Sequence, residues 1–162
     1  MSVKLRKMTA DEFKIFCRWS MEYHAKELVE ELHISDAEAL KRAAQEFAQM
    51  LPDGLQTEHN YLLTIAETDS EEAAGFIWTI HEETAGCKQS FLCDFAIWET
   101  KRCKGYGETA LRLAENRASE AGCVESVLFV ADRNMAAKAL YEKCGYQFLR
   151  RQDYGCYMIK KL

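Results

Sequence analysis

Residues 90–121 change their periodicity once, and that change limits the fold more than any other feature of the chain. SFLCDFAIW (90–98) reads as an apolar strand and runs straight into KRCKGYGET (101–109). From Gly105 onward Ala110, Leu111, Ala114 and Ala118 recur at helical spacing, until Gly122 stops the helix. Single glycines weaken helices and neighbouring like charges repel, so packing three cations and two glycines at a helix start needs compensation. A polyanion bound at the helix N-terminus supplies it, because consecutive backbone N–H groups and the helix dipole both favour negative charge. Gly105 and Gly107 would let the backbone approach such a ligand. Arg102 would add a planar fork and Lys104 a point charge.

Two familiar phosphate loops do not fit. No GxxxxGK[ST] run exists, and Gly105-Tyr106-Gly107 is followed by Glu108, Thr109 and Ala110. The strand before it also follows an antiparallel hairpin instead of heading a parallel sheet.

The rest of the chain supplies the frame. VKLR is a short strand. Thr9 with Glu12 forms a capping box that opens a helix to about Glu31, with Phe13, Phe16, Cys17, Met21 and Leu28 as its apolar positions. Ser35 with Glu38 repeats the device for a helix carrying Leu40, Ala43, Ala44, Phe47 and Met50, ended by Pro52-Asp53-Gly54. NYLLTIAET and AAGFIWTIHE flank a polar DSEE turn as a hairpin. After the glycine-loop helix come the strand ESVLFVA, a helix from about Asn134 to Lys143, and a final hairpin of YQFLRR and YGCYMIKK. The order βααβββαβαββ is an α/β fold, a mixed sheet of about seven strands with about four helices. There is no repeat or linker, so residues 1–162 read as one domain.

Charge and cysteine content narrow the function. The chain has 26 acids against 21 Lys and Arg, a formal charge of −5, whereas a nucleic-acid groove needs a basic domain. The seven cysteines form no CxxC pair, which argues for reduced thiols and against a disulfide framework or zinc ribbon. His24, His33 and His59 show no metal-binding spacing. No apolar run approaches the roughly 20 residues of a membrane span, and MSVKLRKMTADEF has no signal-peptide core. The expectation is a cytoplasmic protein without metal, membrane or nucleic-acid partner.

The run Arg102-Cys103-Lys104-Gly105-Tyr106-Gly107 resembles the RxxGxG signature of the GNAT superfamily of acyl-CoA-dependent N-acyltransferases. Asn134-Met135-Ala136-Ala137, followed by residues 139–146 (ALYEKCGY), resembles that superfamily's N-x-x-A…LYEK-x-GF segment, one helix and one strand later. The element order agrees over most of the chain, although the first 60 residues match only as architecture. The resemblance implies a GNAT fold with the phosphates of acetyl-CoA on residues 102–107 and the neighbouring Glu108. The pantetheine arm would lie along Phe95, Ala96 and Ile97, with Asn134 and Ala137 close to it. Strand 90–98 would diverge from residues 126–130 to admit the thioester, and a backbone N–H near residue 97 would polarise its carbonyl. The chain departs from the common pattern in having Trp98, Glu99 and Thr100 where many relatives carry a proline. Cys103 stands where glycine is common.

Amide formation needs a neutral amine, so the site must take up one proton and return one to the departing thiolate. The resemblance assigns the second task to Tyr141. For the first, Asp94 is a carboxylate inside an apolar strand, and alternation groups it with Leu92 and Ala96, opposite Cys93, Phe95 and Ile97. Glu83 and His81 are the reserve. Trp19, Met21 and Tyr23 are candidates for the wall of the acceptor pocket, and Glu27, Glu30 and Glu31 for attraction of a cation. The expected activity is acetyl transfer from acetyl-CoA to a primary amine of a small molecule or peptide by direct attack in a ternary complex. A non-catalytic acyl-CoA sensor of the same fold is the alternative. The C-terminal strands offer an edge for a homodimer.

Overall fold

The elements follow one another as β1 (Val3–Lys7), α1 (Ala10–Leu32), α2 (Asp36–Met50), β2 (Asn60–Glu67), β3 (Ala73–Thr84), β4 (Cys87–Ile97), α3 (Tyr106–Glu120), β5 (Glu125–Ala131), α4 (Met135–Lys143), β6 (Gln147–Gln152) and β7 (Gly155–Lys161). They come from a computed structural model, which describes residues 2–162. The strands form one mixed sheet in the order β1-β2-β3-β4-β5-β7-β6. β4 and β5 pair in parallel and are joined through α3, the crossover a parallel pair requires, whereas β1 with β2, β3 with β4, β5 with β7 and β6 with β7 run antiparallel.

Two compact units divide the chain, residues 8–60 forming one and β1 with residues 61–162 the other. In the larger unit α3 and α4 bury one face of the sheet. Ile77, Leu92, Leu128, Val130 and Met158 meet Ala110, Leu111, Ala114 and Tyr141 there. Alanines on α3 let the helix approach closely, and the branched residues of the strands fill the pleats beneath it.

The smaller unit is a helical hairpin. Thr9 and Glu12 close the full capping box, whereas Ser35 accepts from the Glu38 N–H at 3.2 Å and supplies one half of it. Phe16 and Leu28 of α1 are buried as expected, whereas the apolar stripe expected of α2 is corrected. Ala25, Leu28, Ala39 and Ala43 are buried, while Leu40 and Met50 are among the exposed apolar residues. Small residues meet at the seam because two helices pack closest where side chains are shortest. Trp19 and Tyr23 stack at 5.0 Å along α1, with Tyr23 exposed. No described helix is long and apolar enough to cross a membrane.

A β-bulge fixes the geometry of β4. Trp78 pairs with Asp94 and Thr79 with Leu92, leaving Cys93 as the extra residue. Simple alternation therefore fails across it. Leu92 shares the helix-covered face with Phe95 and Ile97, and Asp94 turns to the opposite face beside Trp78. The parallel ladder to β5 stops at the same place. It runs from Gln89↔Glu125 to Leu92↔Leu128, after which residues 93–97 and 129–131 have no mutual register.

Candidate active site

The end of the β4–β5 ladder opens a gap with a polar edge. The Trp98 N–H donates to the Ala74 carbonyl at 2.8 Å, so residues 96 and 98 turn their backbone groups toward β3. Those of Phe95 and Ile97 consequently face the gap. Two of these groups are already engaged: the Phe95 N–H donates to Asp94 Oδ1 at 3.0 Å, and the Ile97 carbonyl accepts from Arg102 Nε at 3.0 Å. Arg102 thereby ties the loop to the strand end through one nitrogen and leaves its terminal nitrogens exposed.

The loop that follows has the shape of an anion cradle. Cys103 has φ +62° and Gly105 φ +78°. The left-handed region costs a non-glycine residue roughly 1–2 kcal/mol, which gives the physical reason for a glycine preference at position 103. Gly105 is the N-cap of α3 and offers no side chain, so the first amides of the helix keep their donors for an outside acceptor. A Cβ added to Gly105 would meet open space. One on Gly107 would point at Leu140 Cδ2 (3.4 Å) and Phe95 Cζ (3.7 Å), and so toward the helix-packed interior. Gly105 is therefore needed for its backbone angle, whereas a Cβ at Gly107 would make only ordinary contacts with its neighbours.

The side chains of this loop divide sharply. Tyr106 is buried and its hydroxyl donates to Glu67 Oε1 at 3.0 Å, so only its backbone is offered to a ligand. Lys101 bonds Glu72 at 2.8 Å and Glu67 at 3.2 Å. Of the three cations in the stretch, Arg102 and Lys104 remain exposed. Glu108 is held by Lys143 at 2.8 Å and Arg112 at 3.2 Å, and its backbone is the part available to an anion.

Glu67 is the hub of this anchor and went unnoticed in the sequence. Its one signal there was an acid closing an apolar strand. The Ser70 hydroxyl holds its carboxyl below the usual range, aided by Lys101 and Tyr106 against the opposing effect of burial. Hydrogen bonding to Glu72 chiefly raises Lys101 in turn.

Tyr141 and Asn134 come from α4. Asn134 is the N-cap, and its Oδ1 accepts from the Ala137 N–H at 3.3 Å. That role consumes the oxygen and leaves the amide NH₂ for other partners. Tyr141 lies in the core, its ring 5.8 Å from that of Tyr146. The reserve pair lies elsewhere. His81 pairs with Ser90 and Glu83 with Lys88, five and seven residues short of Phe95 along β4. At about 3.3 Å per residue that is roughly 16 Å and 23 Å from Phe95, too far for direct proton transfer there. Glu83, which the sequence suggested as catalytic, is thus out of direct reach of the Phe95–Ile97 edge. Among the described residues no group of three His, Cys, Asp or Glu side chains is placed to hold a metal.

A family model described as the acetyltransferase (GNAT) family matches residues 18–146. The chain belongs to the GNAT family. It is 30% identical to the uncharacterized N-acetyltransferase YdgE of Bacillus subtilis over 146 residues, 90% of this chain and 92% of that protein. The crystal structure of the acetyltransferase YycN, also from Bacillus subtilis, superposes with a TM-score of 0.86 at 27% identity, covering 93% of this chain and 96% of the other. The PaiA N-acetyltransferase of Thermoplasma acidophilum, crystallised with coenzyme A, shares the fold over the full length of both chains, with a TM-score of 0.75 at 18% identity. The sheet of this GNAT protein, with its parallel β4–β5 pair, and its four helices match that architecture, and the chain is an N-acetyltransferase.

Proposed function

We propose that the protein transfers the acetyl group of acetyl-CoA to a primary amine by direct attack in a ternary complex, and that residues 1–162 act as one catalytic domain. The observation that carries this reading is the β4–β5 ladder ending at Leu92↔Leu128, directly beside an uncapped, glycine-started helix. The coenzyme A held by the Thermoplasma acidophilum relative supports the choice of ligand. Its phosphates sit on the amides of residues 105–108 with Arg102 and Lys104, and its pantetheine arm pairs with the Phe95–Ile97 edge. Because Asp94 engages the Phe95 N–H, the Ile97 N–H is the donor left for the thioester carbonyl.

The neutral amine attacks that carbonyl carbon and forms the C–N bond. As the C–S bond breaks, Tyr141 gives its phenolic proton to the departing sulfur, and the ammonium proton returns through solvent. Asp94, beside Trp78 on the face opposite α3 and α4, receives and orients the cationic acceptor before it deprotonates. Seven free cysteines offer no covalent relay, the exposed one being Cys103 in the phosphate loop.

Acetyl-CoA consumption against a panel of polyamines, amino acids, aminoglycosides and peptide N-termini tests the reading. The expected result is amine-dependent release of CoA, with Arg102→Ala raising KM for acetyl-CoA about tenfold through loss of a charge-assisted contact. Hydrolysis without amide formation would overturn it.

A further inference from the structure

A second cavity, of about 440 Å³, opens on the α3 side of the sheet, between the C-terminal half of α3 and the β2–β3 ladder. His81 in its wall is paired with Ser90, in the laddered part of β4, so the cavity lies outside the β4–β5 gap and shares none of the residues assigned to acetyl-CoA. Its sheet wall is Tyr61, Leu63, Thr79 and His81, and its helix wall is Ala114, Arg117, Glu120 and Ala121.

Three features mark it as a built site. Ala114 and Ala121 face the space where leucines would close it, as Leu111 does one turn earlier. Its sheet wall includes polar groups at depth, Thr79 being 7% and His81 6% exposed, while the Tyr61 ring stands 4.3 Å from the imidazole and keeps an open outer face. Arg117 and Glu120 are three residues apart on α3, with opposite charges, yet neither side chain has a hydrogen bond or ion pair among the described residues. Elsewhere on the helices oppositely charged residues four apart do pair, Arg112 with Glu108 and Arg42 with Glu46.

We propose that this groove binds a free α-amino acid. The Arg117 fork meets the carboxylate, and Glu120, at the end of α3 where the helix dipole favours cations, meets the ammonium group. The side chain lies between Tyr61, Leu63 and the two alanines, with Thr79 and His81 beneath its tip. A zwitterion satisfies both uncommitted charges at once, which neither a simple amine nor a simple acid does.

Calorimetry on the CoA-saturated protein tests this with L-phenylalanine, L-tyrosine and L-leucine, beside phenethylamine and 3-phenylpropionate, which each lack one charge. Saturable binding of one amino acid per chain is expected, weakened about tenfold or more by loss of either ligand charge and by Arg117→Ala. Ala121→Leu, at the exposed helix end, should fill the groove and abolish amino-acid binding while leaving CoA affinity unchanged. Absence of saturable binding by any of the amino acids, equal binding of the single-charge analogues, or binding that survives Ala121→Leu would each overturn the assignment. Because CoA affinity is read separately, these outcomes are independent of the proposed acetyl transfer.

Discussion

Tyr141 combines two tasks that one substitution separates. Its ring is core, 8% exposed and packed near Tyr146. Its hydroxyl has its largest effect when negative charge appears on sulfur, because the neutral thioester gains little from it. Tyr141→Phe keeps the ring and removes the oxygen. The expected outcome is an intact fold, an unchanged KM for acetyl-CoA and a kcat about 10²-fold lower, at the low end of general-acid effects because CoA thiolate is already a fair leaving group. Steady-state rates beside a melting curve decide it, and full turnover would leave Tyr141 as core alone. Asp94 teaches a different lesson at this scale. It was legible as an anomalous carboxylate, but its face was not, because a bulge at Cys93 resets the alternation after Leu92.

At the scale of elements, the phosphate loop is held by β2 more than by its own residues. Glu67 collects the Tyr106 hydroxyl, the Lys101 ammonium and the Ser70 hydroxyl, and so joins the strand end to the start of α3. Its carboxyl is depressed below the ordinary 4.5, which makes its contribution to stability complete above that value. The contribution is lost as pH falls from 4.5 through the lower folded-state value, where the protonated acid no longer attracts Lys101. Glu67→Gln should lower the melting temperature at pH 7 and flatten its decline between neutrality and acid. Parallel acid-melting profiles of the two proteins measure the difference, and identical slopes would remove Glu67 from the anchor. None of this network shows in local sequence, since 34 residues separate Glu67 from Lys101 and 39 separate it from Tyr106.

For the whole molecule, ligand binding and folding are linked through the loop and the gap. A ligand that binds only the folded chain raises its stability by RT ln(1 + [L]/Kd), about 2.7 kcal/mol at one hundred times Kd. Acetyl-CoA and CoA should therefore raise the melting temperature in a concentration-dependent way. The shift should shrink for Arg102→Ala at equal ligand and for CoA lacking its 3′-phosphate. Thermal scans across a ligand series measure it, and an unshifted midpoint at millimolar CoA would contradict the assignment of the loop. The net charge of −5 adds general repulsion toward a polyanion. Binding must therefore come from local amides and the two exposed cations, which makes the loop's geometry decisive.

By itself the sequence determined the order of seven strands and four helices, the caps at Thr9 and Ser35, and the glycine-started helix, because these are local patterns of period, turn chemistry and charge. It also marked residues 102–107 and the segment around Tyr141, where short motifs carry the chemistry. Tertiary structure alone decided that Lys101 and Tyr106 look inward, that Asp94 leaves the face packed against α3 and α4, and that Glu83 and His81 lie seven and five strand positions short of Phe95. These depend on strand register and on partners far apart in the chain. A one-residue bulge or a distant carboxylate changes which side of a sheet a group reaches, and periodicity within a single segment carries no information about either.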